Sequence, residues 1–213
     1  MTYHKFNFYS SNIYYNNLKT LFKIIDKHDF TKDKDIQLSN HIFSIKSGDI
    51  TSGIKWIWAG NKYSINYFFK FLTSINMFQK LQDLYSNNFT IMGSSFISID
   101  SSEVNQSNFH LDMISQYDNS NTNIVTLIFP LHELADGIGH LEYKNNNDVE
   151  ICKYDTNNVI IWDSCKFLHR TQPYKINKKE KRVLVSINLS TDEDWAVNIT
   201  KKILKAQGSK YNN

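Results

Sequence analysis

The sequence predicts a mainly β chain with flanking helices, whose core is a double-stranded β-helix of the jelly-roll or cupin-like kind. Two observations carry that prediction. From Phe89 onward, short apolar runs alternate with polar turns: Phe89–Asp100, Asn108–Met113, Ile124–Leu131, His140–Lys144, Val149–Tyr154, Val159–Asp163 and Arg182–Ser190. Short strands at such spacing suggest an antiparallel roll of two sheets. Before Phe89 the period lengthens to that of helices, and helices so apolar on one side must cover a sheet.

Taken in order, Leu18, Leu21, Phe22 and Ile25 fall at i, i+3, i+4 and i+7, so residues 15–28 form an amphipathic packing helix. Lys32–Gln37 is charged and reads as a loop. Apolar alternation from His41 to Ala59, broken by Gly48 and Gly53, predicts a hairpin with Trp56 and Trp58 on one face. Packing against the core is the favoured role of these tryptophans, with a cleft lining as the other reading. Ser64 is a candidate cap for one long helix from Ile65 to about Tyr85, with Phe68, Phe69, Leu72, Ile75 and Leu81 on its apolar face. Near the end, Thr191-Asp192-Glu193-Asp194 reads as a capping box that starts a helix through Trp195, Ile199 and Ile203. The last six residues are expected to fray. No internal repeat or linker interrupts the chain. It is expected to be a single domain, with helices and a hairpin over 1–88, the β core over 89–190 and a helix and tail over 191–213.

Composition narrows the function. The chain has 213 residues, of which 41% are hydrophobic and 14% aromatic, enough to bury a sizeable core. With 24 basic and 21 acidic side chains the net charge is +3, too small to mark a nucleic-acid or membrane surface. Cys152 and Cys165 lack metal-knuckle spacing and sit on separate predicted elements, which fits a reducing compartment. No signal peptide and no run of about 18–20 apolar residues is present, so a cytoplasmic protein is expected. No phosphate-binding glycine loop, serine elbow or paired-cysteine metal site competes with the chemistry described next.

That chemistry starts at His110-Leu111-Asp112. Side chains two apart on a strand share a face, so one imidazole and one carboxylate project together. A second histidine would complete a two-histidine, one-carboxylate facial triad, the set that holds non-heme Fe(II) with positions left open. His169 is the candidate. It lies 57 residues after Asp112, just past the apolar run that ends in Trp162-Asp163. His140 is the rival. His132 sits in His132-Glu133-Leu134-Ala135-Asp136, whose last position is not the histidine a zinc-protease helix needs. Farther on, Arg182 and Ser186 share a strand face. Only Arg170 and Arg182 are arginines among the 24 basic residues, and an arginine in so lysine-rich a chain points to planar, two-point carboxylate recognition. Arg170 is expected at the rim. The polar loop Met113–Asn123 is placed at the mouth, with Tyr117 favoured as a solvated loop tyrosine and reach into the site as the other reading, and Lys175–Lys181 reads as a solvated basic hairpin tip.

Over roughly residues 89–190 the chain resembles the Fe(II)/2-oxoglutarate-dependent dioxygenase superfamily, most closely its prolyl-4-hydroxylase-like branch. The resemblance rests on His110-x-Asp112, the strand Thr126–Leu131, the turn Gly137-Ile138-Gly139-His140-Leu141-Glu142, the strand through Trp162 into His169, and Arg182. It implies Fe(II) on His110, Asp112 and His169. It further implies 2-oxoglutarate with its far carboxylate on Arg182 and Ser186, and O2 as the other co-substrate. The gap from His169 to Arg182 is 13 residues, somewhat long for the pattern, which leaves Lys178, Lys179 and Lys181 as substitute carboxylate partners. The implied activity is hydroxylation of a peptidyl residue or small metabolite, because Asp112 occupies the position a halide would need. The other readings are a non-catalytic cupin-like metal or sugar binder and a nucleic-acid demethylase of the same superfamily, the latter disfavoured by the low charge. The sequence leaves substrate identity and oligomeric state unset.

Overall fold

The computed structural model describes residues 3–28, 34–47, 53–100, 103–104, 107–114, 121–135, 137, 139–176 and 180–210. In chain order these form β1 His4–Asn7, α1 Ile13–Ile25, β2 Lys34–Leu38, β3 His41–Ser47, β4 Ile54–Ala59, α2 Lys62–Ser74, α3 Met77–Tyr85 and β5 Thr90–Asp100. They continue as β6 Glu103–Val104, β7 Ile124–Pro130, β8 Leu141–Asn145, β9 Asp148–Cys152, β10 Asn158–Asp163, β11 His169–Thr171, β12 Tyr174–Lys175, β13 Lys181–Ser190 and α4 Asp194–Ala206.

The chain is mainly β, as expected. One antiparallel sheet has the order β1-β10-β7-β13-β5-β4-β3-β2, a second the order β11-β8-β9, and β12 pairs with β6. Period-two alternation sorts the large sheet into two faces. Phe96, Leu127, Phe129, Val183, Val185 and Ile187 point to one side, where they pack with Leu18, Phe22, Phe68 and Phe71 of α1 and α2. Helices therefore buttress the large sheet. Ile128, Ile160, Trp162 and Leu184 point the other way, into a smaller core with Leu141, Tyr143 and Phe167 of the three-stranded side. Between the two sheets lies the cavity that matters for function.

Several local expectations change. The charged stretch expected as a loop contains β2, which pairs with β3 at the sheet edge and buries Ile36. Charged side chains are common on such edges, where they discourage a further strand from adding. The long helix is two helices: Asn76 adopts φ +53 and breaks the run after Ser74. Asn61, not Ser64, caps α2, and the Ser64 hydroxyl is spent on Asn61 and the Ile42 carbonyl. The capping box does not form, since Glu193 is the N-cap of α4 and makes no side-chain cap bond. The strand expected over 108–113 reduces to a single bridge at His110. The end of the chain is anchored as far as Lys210, which pairs with Asp35 at 2.8 Å. Tyr117, Lys178 and Lys179 lie outside the described residues. Among the described residues, no helix is long and apolar enough to cross a membrane.

Candidate active site

His110 and His169 face each other across an isolated antiparallel bridge, in which each backbone N–H donates to the other's carbonyl, at 2.9 and 3.0 Å. His169 opens β11, on the small sheet, immediately after the chain leaves β10 of the large one. The sheet-to-sheet crossing thus delivers the second histidine to the first. The two rings lie 4.6 Å apart between centroids. Asp112 follows in a bend, its Oδ1 3.5 Å from Nε2 of His169. One ligand atom from each of the three residues falls within 4.8 Å of the others.

Hydrogen bonds set which atoms face inward. Nδ1 of His110 lies 3.0 Å from the Asn108 carbonyl, and Nδ1 of His169 lies 2.9 Å from the Phe167 carbonyl. A carbonyl only accepts, so each Nδ1 carries the proton and each Nε2 is left with a free lone pair. Burial holds the His169 imidazole below its ordinary value and so favours the neutral ring, while the Asp112 carboxylate pulls the other way. Oδ2 of Asp112 accepts from the Thr126 hydroxyl at 2.7 Å and from the Trp162 indole N–H at 2.9 Å.

These three residues line a cavity of about 370 Å³ that also takes in Arg182 and Ser186. Arg182 is 2% exposed. Its Nε is buried without a hydrogen-bond partner among the described residues, while the Tyr154 ring lies 5.4 Å from Cζ. Burial lowers the affinity of the guanidinium for its proton, with Tyr154 acting the other way. The Tyr154 hydroxyl is itself pushed up to about 12 by burial and keeps its proton at neutral pH. Among the described residues, the ionisable side chains lining the cavity, tyrosines aside, are His110, His169, Asp112 and Arg182. Trp56 and Trp58 also line it, so they belong to the cavity wall as well as to the packing with Met92 and Leu204.

The remaining candidates are engaged elsewhere. Arg170 pairs with Glu142 at 2.6 Å and lies over the Phe109 ring. His140 accepts from the Tyr154 backbone N–H and stands outside the three-ligand cluster. Nε2 of His132 is 2.6 Å from the Lys181 carbonyl. Lys181 is committed to Asp26 at 2.6 Å and Asp100 at 3.7 Å, so it is no substitute for Arg182. Lys175, expected to be merely solvated, pairs with Glu103. Sequence reasoning missed Tyr154, Thr126 and Trp162. For the last a signal existed, since a tryptophan on a buried strand needs a partner for its N–H.

No family model matches the sequence, and no curated protein resembles it at the sequence level. Solved structures do. A prolyl-4-hydroxylase from Pseudomonas putida superposes with a TM-score of 0.58 at 10% identity, over 89% of this chain and 92% of that one. The fold is that of the 2-oxoglutarate-dependent oxygenases. A non-heme, α-ketoglutarate-dependent epimerase of nogalamycin biosynthesis, SnoN, gives a TM-score of 0.64 at 7% identity, over 89% and 77% of the two chains. A Trichoplax adhaerens prolyl hydroxylase, in complex with a peptide fragment of hypoxia-inducible factor, gives 0.57 at 16% identity, over 92% and 86%. The oxygenase fold thus spans hydroxylases and an epimerase, and at these identities the likeness is one of architecture.

Proposed function

We propose that the chain is an Fe(II)- and 2-oxoglutarate-dependent dioxygenase that hydroxylates a C–H bond of a small metabolite or peptidyl residue. One observation carries the reading: a single cavity holds both a three-ligand cluster and a buried guanidinium whose Nε has no hydrogen-bond partner among the described residues. Leaving a buried donor unpaired costs about 1–3 kcal/mol, so such a donor points to a ligand that completes it. A dicarboxylate that also chelates the metal supplies the missing acceptor.

The residues divide the work. His110 and His169 present Nε2, and Asp112 presents Oδ1, three donors of the kind Fe(II) takes in open sites. Arg182 and Ser186 receive the far carboxylate of 2-oxoglutarate, with Tyr154 holding the guanidinium from its other side. Iron, with 2-oxoglutarate and O2, supplies the oxidation itself. Apolar walls such as Leu184, Ile128 and Ile97 exclude water from the reacting atoms. Trp56 and Trp58 are left to meet the substrate. The two unpaired cysteines support placing the reaction in the cytoplasm.

The test is an anaerobic titration of Fe(II) and 2-oxoglutarate, followed by exposure to oxygen. A visible charge-transfer band and formation of succinate are expected, both lost in Asp112→Ala. A folded wild-type protein that gives neither overturns the reading, and one that binds metal without consuming 2-oxoglutarate is a cupin-like binder instead.

A further inference from the structure

Resting on the metal-site reading above, we infer that Trp162 and Thr126 are positioning residues that hold the Asp112 carboxylate so that it offers one oxygen to the metal and not two. Asp112 lies in a bend outside every strand, and the ladder that would otherwise fix its direction is absent there. Its orientation is set by side chains. Both donors aim at the same oxygen, Oδ2, at 2.7 Å from Thr126 and 2.9 Å from Trp162, while Oδ1 alone faces His169.

The arrangement is built into the sheet. Thr126 of β7 and Trp162 of β10 are direct cross-strand neighbours, and Asn188 of β13 is the neighbour of Thr126 on its other side. Thr126 has one hydroxyl proton, which the carboxylate takes because a carboxylate cannot donate. Its lone pairs then receive the Asn188 amide at 3.2 Å and the Ser164 hydroxyl at 2.8 Å. The direction of every bond in the chain is thereby set, and the donor to Asp112 cannot turn away without leaving buried groups unpaired. Ser164 is fully buried and Trp162 is 1% exposed, so water does not compete for these two donor groups.

The consequence is specific. With Oδ2 saturated, Asp112 occupies one coordination position, and its charge is partly drawn off into the two hydrogen bonds. Without them the carboxylate would be free to turn about its Cβ–Cγ bond and would offer a bound metal both oxygens instead of one. Partners of this outer kind govern metal affinity by about 10–100-fold.

Co(II) is the probe, read by its visible d–d spectrum and by calorimetric titration, with no turnover required. Trp162→Phe keeps the ring against Phe167 and His169 and removes only the N–H. Thr126→Val removes the hydroxyl at nearly constant shape, and Thr126→Ser restores it. We expect Trp162→Phe and Thr126→Val to give a weaker d–d band, as the coordination number rises, with Co(II) affinity shifted by about 10-fold or more, and Thr126→Ser to match wild type in both. Wild-type affinity and an unchanged spectrum in both folded variants overturn the inference. If one variant does not fold, the other gives the same reading. Failure of wild-type protein to bind Co(II) at all refutes the metal site itself, a result distinct from failure of the positioning.

Discussion

Arg182 is a buried charge whose Nε has no hydrogen-bond partner among the described residues, an arrangement that costs stability. Its guanidinium is drawn out of water among Leu184, Ile99 and Tyr154, and no carboxylate from the chain is paired with it among the described residues. Replacing a buried charge by an apolar side chain of similar length is often neutral or stabilising by about 1–4 kcal/mol. Arg182→Met is therefore expected to melt at or above the wild-type temperature without ligand, and to lose 2-oxoglutarate binding while keeping the metal. Saturation at about 100 times Kd stabilises wild type by about 2.7 kcal/mol, so added 2-oxoglutarate should raise its melting temperature and leave the variant unmoved. A variant that melts well below wild type, or that still responds to 2-oxoglutarate, contradicts that assignment.

At the scale of elements, the turn into β8 has a tight steric requirement. Gly139 sits at φ +81, and a Cβ there would come 2.9 Å from Cδ1 of Tyr174 and 3.0 Å from Cγ2 of Thr171. Both of those residues line the cavity. Gly139→Ala should cost about 1–3 kcal/mol by denaturant titration, from backbone strain and steric displacement together. Because the displaced side chains face the site, it should also weaken 2-oxoglutarate binding, which an equally destabilising change on the helical face should not. The break between α2 and α3 makes a second case. Asn76 holds φ +53, a conformation that asparagine tolerates and β-branched residues resist. Asn76→Val is predicted to destabilise by about 1–2 kcal/mol and Asn76→Gly to be near neutral, as read from melting curves.

For the whole molecule, the three candidate ligands are drawn from different parts of the architecture. His169 belongs to the small sheet, whereas Asp112 is held by β7 and β10 of the large one. A metal at this point ties the two sheets across the cavity. Its removal should loosen that tie, so the chelator-treated protein is expected to melt lower, with a difference approaching about 4.1 kcal/mol when metal stands at 1,000 times Kd. Equal melting temperatures with and without saturating metal would sink the idea that the ion bridges the sheets.

The sequence by itself determined the mainly β roll, the covering helices and the five candidate residues, because each is written in local terms. Alternation shows strands, the 3.6 period shows helices, and His110-x-Asp112, His169, Arg182 and Ser186 become candidates through strand alternation and their order along the chain, together with the family resemblance. What only the tertiary structure decided are relations between distant residues. β1 earned no prediction because its four residues are a strand only by pairing with β10, more than 150 positions away. The long helix was misjudged because apolar spacing continues through Asn76, where the backbone turns. Tyr154, Thr126 and Trp162 look like ordinary strand residues in sequence; register places them beside Arg182 and Asp112. The physical reason is general: hydrophobic periodicity is a property of neighbours along the chain, while a hydrogen-bond partner is chosen by the packing of strands that only the folded sheets bring side by side.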